Sequence, residues 1–239
     1  MKRNKKGTIE NPINDSKGCG TVMRVAPIGL YFKDENESGI IASEVSALTH
    51  GHPLGIIPSY VFASMLNLIV NKELDILSSL NKSIDNLLRN YNIFNENDTK
   101  YFIDLMNKAV KLSSSNINDI DAIKELGEGW VAEEALAIAV YSCLKYSNSF
   151  EDAVVCAINH DGDSDSTGSI AGNIIGAYLG EEAIPNYYTD NIELKDVILE
   201  IAEDLSTPVP VSEYSNNNDE YWISKYVDCH KQDCGKKIV

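Results

Sequence analysis

The sequence has few positive charges for its size. Its 239 residues include 20 lysine and arginine residues against 36 aspartate and glutamate residues, which gives a formal net charge of −16. An electrostatic field of that sign repels phosphate backbones and disfavours binding of nucleic acid through a general basic surface. We therefore expect no nucleic-acid partner.

Signals for export or membrane insertion are also missing. The N-terminal stretch MKRNKKGTIENP is basic, but no apolar run follows it, so it lacks the pattern of a secretory signal. No stretch approaches the roughly 18 to 20 apolar residues that span a bilayer. The cysteines are odd in number and lack paired spacing, which favours reduced thiols. They are Cys19, Cys143, Cys156, Cys229 and Cys234. We expect a cytoplasmic protein without a membrane partner.

Sustained alternation of apolar and polar residues is absent, so nothing in the pattern requires a β-sheet. With 44% hydrophobic residues, the chain is long enough for one large core. Apolar residues at three-and-four spacing predict helices, and Ser149 has the position of an N-cap for the segment FEDAVVCAI. The predicted helices cover residues 40–50, 53–70, 73–91, 98–113, 131–146 and 194–205, the last ending before Pro208. The predicted fold is all-α.

Composition divides the chain into three parts. Residues 1–13 are polar and basic and are expected to be poorly ordered. Residues 14–210 carry the helical periodicity and form the expected domain, and residues 211–239 form a polar tail. Within that tail, Cys229, His230 and Cys234 have irregular spacing and no fourth ligand nearby, which does not match the usual tetrahedral zinc pattern.

An acidic loop precedes a glycine-striped segment in NHDGDSDSTGSIAGNIIGAYLG, residues 159–180. Alternating aspartates are typical oxygen ligands of hard cations, although a solvated capping loop has the same composition. An EF-hand starting at Asp161 requires glycine and glutamate where Ser166 and Gly172 stand, so that motif is excluded. A helix beginning near Gly168, capped by Ser166 or Thr167, fits better.

Glycine recurs every fourth residue after the acidic loop, at positions 168, 172, 176 and 180. Four residues are slightly more than one helical turn, so these glycines share one stripe. Each costs roughly 1 kcal/mol against alanine, so we expect a neighbouring element to approach that face closely.

The segment GDSDSTGSIAGNIIGAYLG resembles the C-terminal signature of the ADP-ribosylglycohydrolases, which remove ADP-ribose from modified side chains. Three further segments resemble motifs of that family in the expected order. They are SKGCGTVMRVAPIGL at 16–30, LTHGHPLG at 48–55 and LGEGWVAEEALAIA at 126–139. The resemblance covers residues 14–205. It implies an all-α, orthogonal multi-helix bundle with a pair of magnesium ions.

The same resemblance assigns site residues. It implies that Asp163, Asp165 and Ser166 are metal ligands, and that the backbone amides of the turn at 18–20 cradle the diphosphate of the substrate. The implied substrate-binding residues are Gly18, Cys19, Gly20, Met23, Arg24 and His50. From the residues alone, Arg24 equally suits a buried ion pair and His50 a structural role, and Trp130 is expected in the core.

The family's early threonine-aspartate-aspartate metal motif has no match before Asn14, where Glu10 is the one acidic residue. The resemblance therefore implies a partial domain that lacks the N-terminal helices, and the catalytic carboxylate cannot be named. Three hypotheses follow. The chain is a hydrolase of ADP-ribosylated proteins or small ADP-ribosyl substrates, acting alone or with a separately encoded N-terminal half. Alternatively, it binds ADP-ribose without catalysis, or it keeps only the helical structure.

Overall fold

The structure, a computed structural model, describes residues 6–91, 93–206, 220 and 224–225. Within these residues every regular secondary-structure element is a helix, and the single β feature is an isolated antiparallel bridge between Gly18 and Val131. The helices are α1 (Gly20–Met23), α2 (Ala26–Tyr31), α3 (Glu35–Ala47), α4 (Pro53–Lys72), α5 (Ile76–Asn90), α6 (Glu96–Ser113), α7 (Asp119–Leu126), α8 (Ala132–Lys145), α9 (Phe150–Ile158), α10 (Ser164–Leu179), α11 (Asn186–Thr189) and α12 (Lys195–Ser206), with a 3-10 turn at Glu181–Ala183. The all-α prediction is confirmed.

Helix α4 is the centre of the fold and is apolar on every side. It packs against α1, α2, α3, α5, α6, α8 and α10, and its residues from Leu54 to Ile69 are all buried. His52 caps it by accepting a hydrogen bond from the amide of Leu54 at 3.0 Å, and Pro53 occupies its first turn. A helix that is apolar all round needs neighbours on all sides, and α4 has them.

Helix α4 also corrects one sequence-based statement. By length and composition it is apolar enough to cross a membrane, so the expectation that no stretch reaches this limit was wrong. Buried core helices pass the same test, and 89% of the relevant window of α4 is buried inside the structure. Its apolar surface is therefore already covered by protein.

Helix α8 forms the second layer of the core. Every residue from Ala135 to Cys143 is buried, and four of the first eight residues of the helix are alanine. Small side chains let α4, α6, α9 and α10 approach it closely. At its N-terminal end, the amide of Ala132 donates a hydrogen bond to the carbonyl of Lys17.

The predicted helix positions are largely those observed, with specific differences. Ser149 caps α9 as expected, accepting a hydrogen bond from the amide of Asp152 at 3.1 Å. The expected start of α10 near Gly168 was wrong, because the helix begins at Ser164. Ser166 and Thr167 therefore lie inside its first turn instead of capping it, and Asp163 occupies the N-cap position.

The glycine stripe of α10 has a tight contact at one end only. A Cβ atom added at Gly168 would lie 2.5 Å from a methyl carbon of Ile158, whereas one added at Gly172 would meet no atom within 4 Å. At Gly176 the nearest atom, on Phe150, would be at an ordinary 3.7 Å. Close approach of a neighbour therefore explains Gly168 and not the stripe as a whole.

The chain forms two compact units, residues 1–190 and residues 191–239. In the second unit, Lys225 forms ion pairs with Glu200 and, at 2.7 Å, with Asp204, both on α12. The boundaries expected from composition, including those of the polar tail, stay predictions. The cysteines and histidine considered for zinc lie outside the described residues.

Candidate functional site

The glycine loop before α1 is held against the segment that enters α8. The amide of Cys19 donates to the carbonyl of Trp130 at 3.2 Å, and the amide of Ala132 donates to the carbonyl of Lys17 at 2.9 Å. These two bonds flank the bridge between Gly18 and Val131. A short two-stranded contact therefore joins residues 17–19 to residues 130–132. It also occupies the Cys19 amide, which was expected to face a diphosphate.

The acidic loop before α10 contacts the segment that enters α8 at Glu128. The amide of Asp163 donates to the carbonyl of Glu128 at 2.8 Å. A Cβ atom at Gly162 would lie 1.9 Å from that carbonyl oxygen, so this approach requires glycine. His160 braces the loop internally, because its Nδ1 accepts from the Gly162 amide at 3.0 Å and its Nε2 lies 3.0 Å from the Thr167 hydroxyl.

The glycine loop and the acidic loop meet at Asp163. Its carboxylate Oδ2 accepts a hydrogen bond from the Cys19 thiol at 2.9 Å and another from the Ser166 hydroxyl at 2.9 Å. The Ser166 oxygen also lies 3.3 Å from the sulfur of Cys19 and 3.1 Å from that of Met23. Four of the predicted site residues therefore form one cluster, although they come from distant parts of the chain.

The charge of this cluster is concentrated on two neighbouring carboxylates. Burial would raise the pKa of Asp163, but hydrogen bonds involving Cys19, Asp165 and Ser166 outweigh it and lower that pKa below its usual value. Asp163 is 7% exposed, whereas Asp165 lies on the exposed side of α10. Two neighbouring carboxylates repel each other unless a cation or a proton lies between them. The hydrogen bonds to Asp163 favour its ionised form.

Arg24 and His50 are linked through Thr49, and His50 lies beside the glycine loop. The Arg24 guanidinium donates to the carbonyl of Val45 at 3.0 Å and to the Thr49 hydroxyl at 2.6 Å. That hydroxyl lies 2.8 Å from Nδ1 of His50. A Cβ atom at Gly18 would be 3.2 Å from Nε2 of His50, so the imidazole edge rests on the loop. Burial and the charge of Arg24 lower the pKa of His50.

The alternative role considered for Arg24 does not hold. Arg24 is exposed and its described partners are a carbonyl and a hydroxyl, so it is not a buried ion-pair partner. Of the six predicted substrate-binding residues, Cys19 contacts Asp163 and Ser166, and Met23 contacts Ser166. Gly18 lies against His50, Gly20 is exposed at the end of the loop, and Arg24 is linked to His50 through the Thr49 hydroxyl.

Trp130 was expected in the core, and this was wrong. Its side chain is 58% exposed, although its carbonyl binds Cys19. The preceding Gly129 has φ of +82°, and a Cβ atom there would lie 2.9 Å from Thr167. This left-handed turn packs the backbone against α10 and leaves the indole at the surface. Trp130 therefore lies between the two halves of the site.

The sequence did not predict the roles of two acidic side chains near the site. Glu134 accepts hydrogen bonds from the amides of Glu128 and Gly129 at 3.0 and 3.2 Å, which closes the turn before α8. Glu133 is fully buried and pairs with Lys17 at 2.5 Å. Both lie in the first turn of a helix, where acidic residues are common on exposed surfaces. Nothing in the local pattern distinguishes a buried one.

The donor set does not amount to a complete metal site. Among the residues that the structure describes, no group of three or more histidine, cysteine, aspartate or glutamate side chains is arranged to hold an ion. A surface cavity of about 490 Å³ lies beside the acidic loop and is lined in part by Lys124, Glu128 and Asp161. It contains none of the predicted site residues, so the hydrogen-bonded cluster locates the candidate site better than this cavity does.

Comparisons with known proteins agree with these motifs. Residues 2–214 match the family model described as ADP-ribosylglycohydrolase. The chain is 26% identical over 197 residues to ADP-ribosylhydrolase ARH3 of Gallus gallus, covering 74% of this chain and 54% of that protein. It is 24% identical over 239 residues to ADP-ribosylhydrolase ARH1 of Dictyostelium discoideum, covering 79% and 60%.

A solved structure, titled "ADP-ribosylglycohydrolase-related protein complex", has a similar fold. It aligns with a TM-score of 0.59 and 22% sequence identity, covering 79% of this chain and 59% of that one. The chain thus spans a little over half the length of the curated relatives described above.

Proposed function

The chain belongs to the ADP-ribosylglycohydrolase family, and on that premise we propose that it binds an ADP-ribosyl group beside Asp163 and hydrolyses the bond joining it to a protein side chain or a small molecule. The observation that carries this proposal is the hydrogen bond between Cys19 and Asp163, 144 positions apart in the chain. It joins two motifs that resemble parts of one ligand site. Packing alone does not require a thiol and a carboxylate to meet there.

We assign the phosphates and the nucleotide to the glycine loop and its neighbours. Gly18 and Gly20 let the backbone approach a ligand closely, and Arg24 is the nearby positive charge. His50 carries a lowered pKa, so it meets the ligand as a neutral imidazole at pH 7. Cys19 and Met23 would contact the ligand through their side chains, because the Cys19 amide already donates to Trp130.

Magnesium suits part of this donor set. Asp163, Asp165 and Ser166 offer two carboxylates and a hydroxyl, which are the hard oxygen ligands that the ion prefers. The sulfurs of Cys19 and Met23 beside them are not such ligands. Three protein oxygens leave half of an octahedral shell to water, substrate or another segment. The residues present therefore fit a partial site for one ion, and a second ion of the expected pair would need further ligands.

The chemistry proposed is water attack on the anomeric carbon of the ribose. The bond from that carbon to the leaving nitrogen or oxygen breaks, the ribose gains a hydroxyl, and the leaving atom takes up a proton. Bound magnesium would stabilise the developing charge. In this step Asp163, held by Cys19 and Ser166, keeps its carboxylate ionised and fixed beside the ligand. No described residue is assigned as the base that activates the water.

A second function, binding of ADP-ribose without turnover, is favoured by the incomplete donor set among the described residues. If this second function holds, the purified 239-residue chain should hydrolyse ADP-ribosyl-arginine and ADP-ribosyl-serine slowly or not at all. We also propose that a second polypeptide carrying a threonine-aspartate-aspartate motif would supply the remaining ligands and raise turnover.

Calorimetric titration with ADP-ribose, with and without magnesium chloride, tests binding, and release of ADP-ribose from modified peptides tests turnover. Asp163→Ala and Asp165→Ala are the test variants. Asp161→Ala is the matched control, because Asp161 is exposed on the same loop and lines the separate cavity. Magnesium-dependent binding lost in the two test variants and kept in the control supports the site.

The two functions separate in the release assay. Turnover by the unmodified chain that is lost in Asp163→Ala supports the hydrolase and excludes binding without turnover as the function. Binding without turnover supports the binder. The absence of ADP-ribose binding by the folded wild-type chain would overturn both assignments.

A further inference from the structure

The ion pair between Lys17 and Glu133 is unlike the other ion pairs near helix surfaces. The Glu133 side chain is 0% exposed, and its Oε1 lies 2.5 Å from the ammonium of Lys17, which is 37% exposed. Oε2 is buried and has no hydrogen-bond partner in the described part of the chain. Burying a carboxylate with one oxygen unsatisfied is costly, so this position would favour an apolar residue on stability alone.

The pair joins the same two segments as the backbone contact described above. Lys17 begins the glycine loop, and its carbonyl accepts the amide of Ala132 at 2.9 Å. Glu133 follows Ala132 directly on α8. The side-chain pair therefore closes the end of the short ladder that continues through Gly18 and Val131 to the bond between Cys19 and Trp130. Beyond this ladder the loop is exposed at Gly20.

The ladder has only two backbone hydrogen bonds, and isolated two-stranded contacts of this size are marginal in water. A side-chain anchor at the Lys17 end therefore helps the loop to keep one position, as the hydrogen bond from the Cys19 thiol to Asp163 does at the other end. The ammonium of Lys17 is committed to Glu133, whose charge it neutralises, so it serves as that anchor and not as the cation for a phosphate. Burial would lower the pKa of Lys17, but the hydrogen bond with Glu133 outweighs it and raises that pKa, so the ammonium stays charged.

We propose that Glu133 is a positioning residue, which through Lys17 fixes the glycine loop on the α8 segment and thereby sets Cys19 and Trp130 in place beside Asp163. The part concerning the ligand rests on the proposed function. The part concerning the loop does not, because it is a statement about the protein without ligand.

Amide hydrogen exchange tests the loop directly. In Glu133→Ala we expect the amides of Cys19 and Ala132 to exchange at least about tenfold faster than in the wild type, with the interior of α4 unchanged. Glu133→Gln keeps an oxygen for Lys17 and should show a smaller increase. Glu35→Ala is the matched control, since it removes another glutamate–lysine pair, with Lys82 at 3.1 Å, on α3 and α5. It should leave both amides unchanged.

Ligand titration tests the positioning role. We expect ADP-ribose to bind Glu133→Ala about tenfold more weakly than the wild type, as for loss of other supporting contacts. Adenosine, which lacks the diphosphate, should lose much less affinity. If Glu133→Ala does not fold, Lys17→Met replaces it, because Lys17 is partly exposed and its loss leaves a carboxyl group that can take up a proton.

The outcomes are separable. Unchanged exchange at Cys19 and Ala132 in a folded variant overturns the inference, whatever the ligand does. Faster exchange with unchanged ADP-ribose affinity overturns the positioning role. A wild-type chain that does not bind ADP-ribose overturns the proposed function, while the exchange experiment still decides whether Glu133 fixes the loop.

Discussion

Replacing Gly162 by alanine should displace the acidic loop. The added Cβ atom would lie 1.9 Å from the carbonyl oxygen of Glu128 and 2.7 Å from its carbonyl carbon. Ordinary contacts are about 3.4 Å or longer, so the loop would move by roughly 1.5 Å. The next residue is Asp163, whose amide donates to the same carbonyl at 2.8 Å. The clash and the hydrogen bond therefore share one atom.

The free-energy cost follows from these two contacts. Overpacking of a tight site costs about 1–3 kcal/mol, and loss of a backbone hydrogen bond adds about 1 kcal/mol. A total near 3 kcal/mol lowers the melting temperature of a chain of this size by roughly 6–12 °C. Displacement of Asp163 with the loop should also weaken binding of magnesium and ADP-ribose by up to about 100-fold.

Thermal unfolding and ADP-ribose calorimetry measure the two effects in one preparation. Gly172→Ala is the matched control, because its Cβ atom meets nothing within 4 Å on the same helix that the loop enters. It should raise the free energy of unfolding by up to about 1 kcal/mol, since alanine favours helices over glycine. A Gly162→Ala variant that melts within a degree of the wild type and binds ADP-ribose with unchanged affinity would contradict the close approach of Gly162 to the Glu128 carbonyl.

Three further results are expected. Asp119 accepts hydrogen bonds from two tyrosines and Lys145, and these outweigh its burial and lower its pKa. Asp119→Asn should therefore reduce the free energy of unfolding by about 2 kcal/mol at pH 7. Urea midpoints measured at several pH values should show this difference shrinking as the pH falls below 3.8 and through the lowered pKa. Trp222→Phe leaves Trp130 as the single tryptophan of the chain. Its fluorescence should change when ADP-ribose is added, and the Kd from this change should equal the Kd from calorimetry. Unchanged fluorescence would place Trp130 away from the ligand. Glu134→Ala should lower the urea midpoint by an amount equivalent to about 1–2 kcal/mol, because two backbone amides lose their acceptor.

Periodicity predicted the long helices because they bury a continuous face. Helices α8 and α9 begin within a residue of the expected positions, and the cap of α9 follows from Ser149 alone. Helices α1, α2 and α7 were not predicted, since four to eight residues hold too few turns to show a period. The start of α10 was misplaced because Ser164 and Asp165 have low helix propensity, which the docking of the loop overrides.

The site could be predicted only through motif resemblance. Spacing within the acidic loop predicted a group of oxygen ligands, which stays a prediction, and it could not show that Cys19 donates to Asp163. The pair of Lys17 and Glu133 depends on tertiary packing between residues 116 positions apart, which no local pattern contains. The exposed indole of Trp130 depends on a left-handed glycine before it, and that conformation is set by packing on Thr167.

The two halves of the site are far apart in the chain, so a ligand that binds both should stabilise residues 1–190 against unfolding. A molecule touching both the glycine loop and Asp163 would act as a reversible cross-link across 144 positions. Unfolding of the helices between them separates its two contacts, so binding and global unfolding are linked by mass action. At a free concentration of 100 times its Kd, a ligand specific for the folded state adds about 2.7 kcal/mol to the free energy of unfolding. That corresponds to a rise in melting temperature of roughly 5–11 °C, so a panel of nucleotides can be ranked without any assay of the reaction.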